Sequence, residues 1–231
     1  MTYVPLRVRT DFSLGKGAST PSSIVKRAAS LAMPSCAITD AVSMGGCHKF
    51  SEYAIKAGIL PIIGCEFFIN LGGLVGNIIL LARSEKGYGV LNHLLQLSYT
   101  PVAKRDAVVH IPETPVLIID ESVKEVMAEG GVIVLTGAGH EGFGRKSIKL
   151  DRGKSLLELK SLFGASLEEF YIEICRTQGK STVDESALIS FAQDNGIPLV
   201  GTTDCWYASD KDALAYQMLA FSRGERTGHI V

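Results

Sequence analysis

Three times in this chain a helical stretch stops, a proline follows, and a short apolar run leads to an acid. The first helical stretch ends at Met33-Pro34, and Ser35–Thr39 then runs to Asp40. The second, Cys47–Ala57, is closed by Gly58, and Pro61 leads into Ile62–Ile69, which carries Glu66. The third runs from about Asp184 to Asp194 and stops at Asn195-Gly196. Pro198 then opens Leu199–Thr203, which ends at Asp204. Proline cannot continue a helix, and glycine just beyond a helix relieves the left-handed turn that ends it. Runs apolar on both faces, set between helices, form strands covered on both sides, which is the pattern of a mainly parallel sheet. The phrase is too degenerate for a solenoid repeat. It confines the chain to the α/β class.

Further strands are expected at Val4–Val8, Asn77–Ala82, Val132–Thr136 and Phe170–Ile174. Helices are expected after the Ser19-Thr20-Pro21-Ser22 start signal and over Gly87–Leu97, Lys154–Phe163 and Asp210–Phe221. A count of about seven strand–helix units suggests a closed or nearly closed barrel, with an open doubly wound sheet as the alternative. The irregular Pro101–Pro115 stretch reads as a surface loop, and with no linker signal residues 1–231 read as a single domain.

A hydrophobic fraction of 46% places the chain among globular proteins, and a net charge of −1 makes it no general magnet for nucleic acid. Its 5 cysteines (Cys36, Cys47, Cys65, Cys175, Cys205) form no C-x-x-C pair, so neither a zinc ribbon nor a thioredoxin motif is supported. There is no apolar run long enough to span a bilayer and no signal-peptide pattern at the start, so a reducing, cytoplasmic setting is expected.

In parallel α/β folds the functional groups gather at the C-terminal ends of the strands. That rule selects Arg7, Arg9, Asp40, Glu66, Gly137–His140, Glu173 and Asp204. Arg7 and Arg9 stand two apart, so on extended backbone both point to one side. A carboxylate inside an apolar strand, as at Glu66, needs a partner. Gly137-Ala138-Gly139-His140-Glu141-Gly142 matches G-x-G-x-x-G after a strand, but the acid expected about 20 residues on is missing. A plain strand-to-loop turn is the better reading.

Y-V-P-L-R-V-R-T-D-F-S at Tyr3–Ser13, M-P-S-C-A-I-T-D at Met33–Asp40, A-G-I-L-P-I-I-G-C-E at Ala57–Glu66, E-K-G-Y-G-V-L at Glu85–Leu91, I-P-L-V-G-T-T-D at Ile197–Asp204 and T-T-D-C-W-Y from Thr202 follow in order. With these phrases the chain resembles the polymerase and histidinol phosphatase (PHP) family, in the form found at the N-terminus of bacterial DNA polymerase III alpha subunits. The resemblance runs from about Tyr3 to Gly224. It implies an α/β fold, a distorted seven-stranded (β/α) barrel of PHP type.

Catalytic members of that family hold a cluster of metal ions on histidines and acids. By the resemblance, the opening histidine pair falls on Arg7 and Arg9, the next ligand on Lys16, and the histidine after A-I-T-D on Ala41. Later ligands fall on Asn77, Ala138 and Trp206, and only Glu66 and Asp204 keep a ligand type. Two carboxylates cannot hold a cluster of cations, whereas guanidinium suits carboxylate pairing. The old metal site therefore reads as a salt-bridge cluster with no cofactor and no catalytic residue. His48, His93, His110, His140 and His229 fall at none of these positions.

The resemblance then implies a metal-free, non-catalytic PHP-like domain of DNA replication. Its expected partners are the polymerase core of the alpha subunit and the proofreading exonuclease subunit, with DNA met only indirectly. No palm domain lies in the sequence, so the chain by itself is not expected to polymerise DNA, and whether a longer polypeptide follows Val231 is left open. One alternative is a metal-dependent phosphoesterase or 3′-5′ exonuclease holding an ion on Asp40, Glu66 and Asp204. Another is anion or nucleic-acid binding by Arg7, Arg9 and Lys16, which requires those side chains to be unpaired.

Overall fold

The computed structural model of the chain describes residues 3–100, 115–163, 169–176 and 185–224. The elements are α1 (Pro21–Ser30), β1 (Ser35–Ala41), α2 (Cys47–Lys56), β2 (Leu60–Leu71), β3 (Leu74–Ala82), α3 (Glu85–Tyr99), β4 (Val116–Ile118) and α4 (Glu121–Ala128). They continue with β5 (Val132–Leu135), α5 (Phe143–Asp151), α6 (Lys154–Leu162), β6 (Phe170–Cys175), α7 (Glu185–Asp194), β7 (Leu199–Thr202) and α8 (Ala213–Ser222). Hydrogen-bonded neighbours follow the order β1-β2-β3-β5-β6-β7, with β4 also beside β2. This is the α/β, mixed-sheet arrangement of the PHP type.

The chain forms two compact units, Met1–Cys65 with Thr203–Val231, and Glu66–Thr202. In the first unit, α1 starts as its sequence requires. The Thr20 hydroxyl accepts from the Ser23 N–H and Pro21 sits in the first turn, where its missing N–H costs nothing. Ile24, Val25 and Ala28 form its buried stripe. Residues Cys36–Asp40 of β1 are fully enclosed, which explains the uninterrupted apolar run before Asp40.

Residues 4–8, expected as a strand, form no regular ladder; Val8 makes only an isolated parallel bridge to Cys205. The backbone is nonetheless well bonded. Pro5 has no N–H to give, but its carbonyl accepts from the Ala37 N–H, and the Thr39 side chain replaces a ladder partner by accepting from the Val8 N–H.

In the second unit, β2 parallels β4, and β5-β6-β7 are parallel to one another. β3 and β5 are antiparallel, pairing Ile79 with Leu135 and Leu81 with Ile133. Most of these pairs are parallel, as expected, and the sheet is mixed through β3. The cause is Gly72-Gly73, a two-residue connection between β2 and β3 with φ of 59° and 92°. Two consecutive positive-φ glycines make the tight hairpin turn that fits strand twist, so β3 must return antiparallel. β4, α4 and α5 were not anticipated; the expected Pro101–Pro115 loop lies, apart from Pro115, outside the described residues.

Glycine is obligatory where α3 meets the turn before β5. A Cβ on Gly87 would lie 1.8 Å from the Gly131 carbonyl oxygen. Helix propensity favours alanine over glycine by up to about 1 kcal/mol, but overpacking a fixed backbone costs about 1–3 kcal/mol. Gly87→Ala is therefore expected to lower stability, seen as a reduced urea midpoint with an unchanged slope. An equal or higher midpoint would mean that the Gly130-Gly131 turn gives way freely.

Candidate functional site

In the first unit the parity read from the opening stretch holds locally. The backbones of residues 7–9 and 205 exchange N–H···O bonds: the Cys205 N–H donates to the Arg7 carbonyl at 3.1 Å, and the Arg9 N–H to the Cys205 carbonyl at 3.0 Å. In that parallel register Arg7 and Arg9 face the side on which Asp204 lies. Arg7 Nε donates to Asp204 Oδ1 at 2.8 Å, and an Arg9 guanidinium N–H donates to the same oxygen. Both arginines are 2% exposed and Asp204 is 28% exposed, so this is a largely desolvated ion pair. Trp206 serves as a platform, and the Arg9 guanidinium stacks over its ring at 3.9 Å from the centroid. A desolvated cation–π contact of this kind is worth about 2 kcal/mol. Tyr216 of α8 supports the indole, with ring centroids 5.5 Å apart.

Among the described residues Asp40 joins no ion pair; its partners are hydroxyls and a backbone N–H. It is 1% exposed and accepts from the Thr10 N–H at 2.6 Å, the Thr10 hydroxyl at 2.7 Å and the Ser13 hydroxyl at 2.6 Å. Ser13 Oγ in turn accepts from the N–H of Ala41 at 3.0 Å. Burial raises the Asp40 pKa above its ordinary value of 3.8, against the opposing hydrogen bonds from Ser13 and Thr10. The next residue but one, Val42, is held at φ 46°, a strained conformation for a β-branched side chain. Lys16 lies half-buried in the turn after Ser13.

In the second unit Glu66 is 1% exposed and accepts from Asn77 Nδ2 at 2.8 Å. Asn77 Oδ1 is buried and has no hydrogen-bond partner among the described residues. Asn77 packs against the glycine-rich loop: its N–H donates to the Glu141 carbonyl at 2.7 Å, and a Cβ on Gly137 would lie 1.9 Å from its carbonyl oxygen. This accounts for G-x-G-x-x-G without a dinucleotide. Gly137 admits Asn77, Gly142 packs on the Gly137 carbonyl, and Ala138 is buried beside them. Glu173 accepts from the Thr202 hydroxyl at 2.6 Å. His140 is an exposed loop residue near Arg145, and His48 and His93 are exposed on helices. His110 and His229 lie outside the described residues.

Among the described residues no group of three or more His, Cys, Asp or Glu side chains is arranged to hold a metal ion. The local chemistry agrees. Asp204 faces two guanidiniums, Asp40 is enclosed by donors, and Glu66 meets the amide nitrogen of Asn77, which is a donor and no ligand. The residues present do not fit a multi-metal centre. Sequence reasoning missed Thr10 and Ser13; their signal was local, a hydroxyl at each end of T-D-F-S in the stretch preceding the buried acid.

The PHP domain profile matches residues 5–177. Among curated proteins, the DNA polymerase III subunit alpha of Caulobacter vibrioides is 30% identical over 223 residues, covering 89% of this chain and 18% of its own length. That of Escherichia coli is 28% identical over 231 residues, covering 94% and 18%. The chain thus spans under a fifth of the length of these relatives. Among solved structures, a protein from Bifidobacterium adolescentis assigned as a metal-dependent phosphoesterase superposes with a TM-score of 0.58 at 14% identity, covering 94% of this chain and 96% of that one. An amidohydrolase from Chromobacterium violaceum, with bound sulfate and no metal, gives 0.54 at 18% identity, covering 90% and 89%. Among the described residues no helix is long and apolar enough to cross a membrane.

Two consequences are measurable. Asp204→Asn removes the anion shared by two buried guanidiniums and is expected to destabilise the fold by about 3 kcal/mol or more, read from urea unfolding; a loss below about 1 kcal/mol would place the pair among inconsequential surface bridges. The raised Asp40 pKa also sets a sign. In the folded state the carboxyl holds its proton at pH values where the unfolded chain has released it. Stability contributed by this group is therefore greatest below 3.8 and falls as pH rises from there towards the folded value. The difference in unfolding free energy between the native chain and Asp40→Asn should shift against the native chain across that window; a difference independent of pH would contradict the burial argument.

Proposed function

The chain belongs to the PHP domain family, and on that premise we propose that it is a degenerate, metal-free PHP domain acting as a structural module of bacterial DNA replication. Residues 1–231 act as one such domain. Its role is to support the polymerase core of a DNA polymerase III alpha subunit and to dock the proofreading exonuclease subunit, in the cytoplasm and without chemistry of its own. The observation that carries this reading is the Arg7–Asp204–Arg9 contact: a retained acid of the family's metal site is engaged by guanidiniums where the resemblance puts histidines. Arg7, Arg9, Lys16, Ala41, Glu66, Asn77, Ala138, Asp204 and Trp206 are read as the remains of that site. Homology to alpha subunits along most of the chain supports the replication setting.

The reduced-site phosphoesterase asks Asp40, Glu66 and Asp204 to turn from hydrogen-bond acceptors into ligands, and each already faces donors. Anion capture by the arginines has the same difficulty, since both are committed to Asp204.

The test has two arms. After incubation with manganese or zinc and gel filtration, the purified chain is expected to carry substoichiometric metal and to release no phosphate from a phosphomonoester or from DNA ends. In interferometry it is expected to bind a bacterial polymerase core or its proofreading exonuclease subunit. Stoichiometric metal with turnover would overturn the non-catalytic reading, and absence of binding to both proteins would overturn the scaffold.

A further inference from the structure

The Val8–Cys205 bridge has two faces. Arg7, Arg9, Asp204 and Trp206 lie on one. By the alternation of extended backbone Val8, Thr203, Cys205 and Tyr207 lie on the other. That second face opens on a cavity of about 230 Å³ within the first unit. Its walls are apolar: Val8, Ile24, Ala28, Leu31, Met33 and Cys36. The two thiols that reach it behave as apolar groups, because burial pushes Cys36 up to about 12 and also raises Cys205. They are neither nucleophiles nor metal ligands at neutral pH.

The polar groups in the lining are few. The Tyr3 and Thr203 hydroxyls share a hydrogen bond of 2.6 Å. Arg27, in the last turn of α1, lines the cavity with its guanidinium exposed and without a hydrogen bond or ion pair among the described residues. An apolar chamber with a few polar groups in its lining is the form of a small-molecule site. A cavity of about 150 Å³ admits benzene, so this one admits an aromatic ring with a short side arm. A fixed positive charge at its margin selects the charge of that arm. The C-terminal end of α1 carries an opposing partial negative charge, but it is diffuse and its carbonyls are in part capped by the Leu31 N–H, whereas the guanidinium presents a full charge and paired donors.

We propose that this cavity is a binding site for a small arylalkyl monocarboxylate, its ring held among Val8, Ala28, Met33 and Cys36 and its carboxylate paired with Arg27. The site is separate from the degenerate metal positions and stands whether or not the scaffold reading does. Because Val8 and Cys205 belong to the same backbone pair that aligns Arg7 and Arg9 with Asp204, the ligand would also brace that pair.

The experiment uses the full chain, labelled with nitrogen-15 and titrated with 3-phenylpropionate and, separately, with its neutral amide. The acid is expected to bind at submillimolar concentration, shifting the amide resonances of Ala28, Cys36 and Cys205, and to bind about tenfold more tightly than the amide. Arg27→Gln, at an exposed position with no partner to lose, should bring the acid to the amide's affinity and leave the amide unchanged. Absence of shifts at millimolar acid, shifts confined to residues outside the cavity, or equal binding of acid and amide to the native chain would each overturn the proposal.

Discussion

A single carboxylate oxygen organises the first unit. Asp204 Oδ1 receives N–H donors from both Arg7 and Arg9, two side chains that are almost wholly out of water. Bringing a guanidinium into a protein interior is costly, and the cost is offset only where geometry supplies an anion and further contacts. Here both requirements act on the backbone. The arginines reach one oxygen only if residues 7 and 9 lie on the same side of extended chain, in register with 204 and 206. The stacking of Arg9 on Trp206 fixes that register a second time. Lysine would serve poorly: an ammonium can pair with the carboxylate but offers no flat face to the indole.

The helix–proline–strand–acid phrase made the α/β class and most element positions legible, because periodicity and proline act locally. Arg7 and Arg9 facing one side was legible for the same reason. The regular strand around them was not formed. Its ladder is broken by Pro5 and completed by the Thr39 hydroxyl, a side-chain substitution that has no period in the sequence. Among the described residues the number of strands matches the expectation, but β4 replaces the opening one, and three apolar residues are too few to declare a strand. Gly72-Gly73 did carry a readable hairpin signal, and its significance lies in direction: it sends β3 back antiparallel between long apolar runs that otherwise look parallel. The Thr10–Ser13 cradle of Asp40 stayed hidden because hydroxyls in a turn point to a buried acid only once the turn's path is known.

The three strand acids show how carboxylates are kept within such a fold: a carboxylate taken out of water needs donors. Their donors include guanidiniums at Asp204, hydroxyls with a backbone N–H at Asp40, and a carboxamide at Glu66. At Asp40 the cradle is uncharged, so burial dominates and raises the pKa, and the charge itself is made dispensable. The donors around Asp40 belong to the backbone turn at Thr10–Ser13, and the Asn77 amide that meets Glu66 belongs to the packing of Asn77 on Gly137. Because these donors are set by the path of the chain, the acids are held by the same contacts that form the turn and the loop.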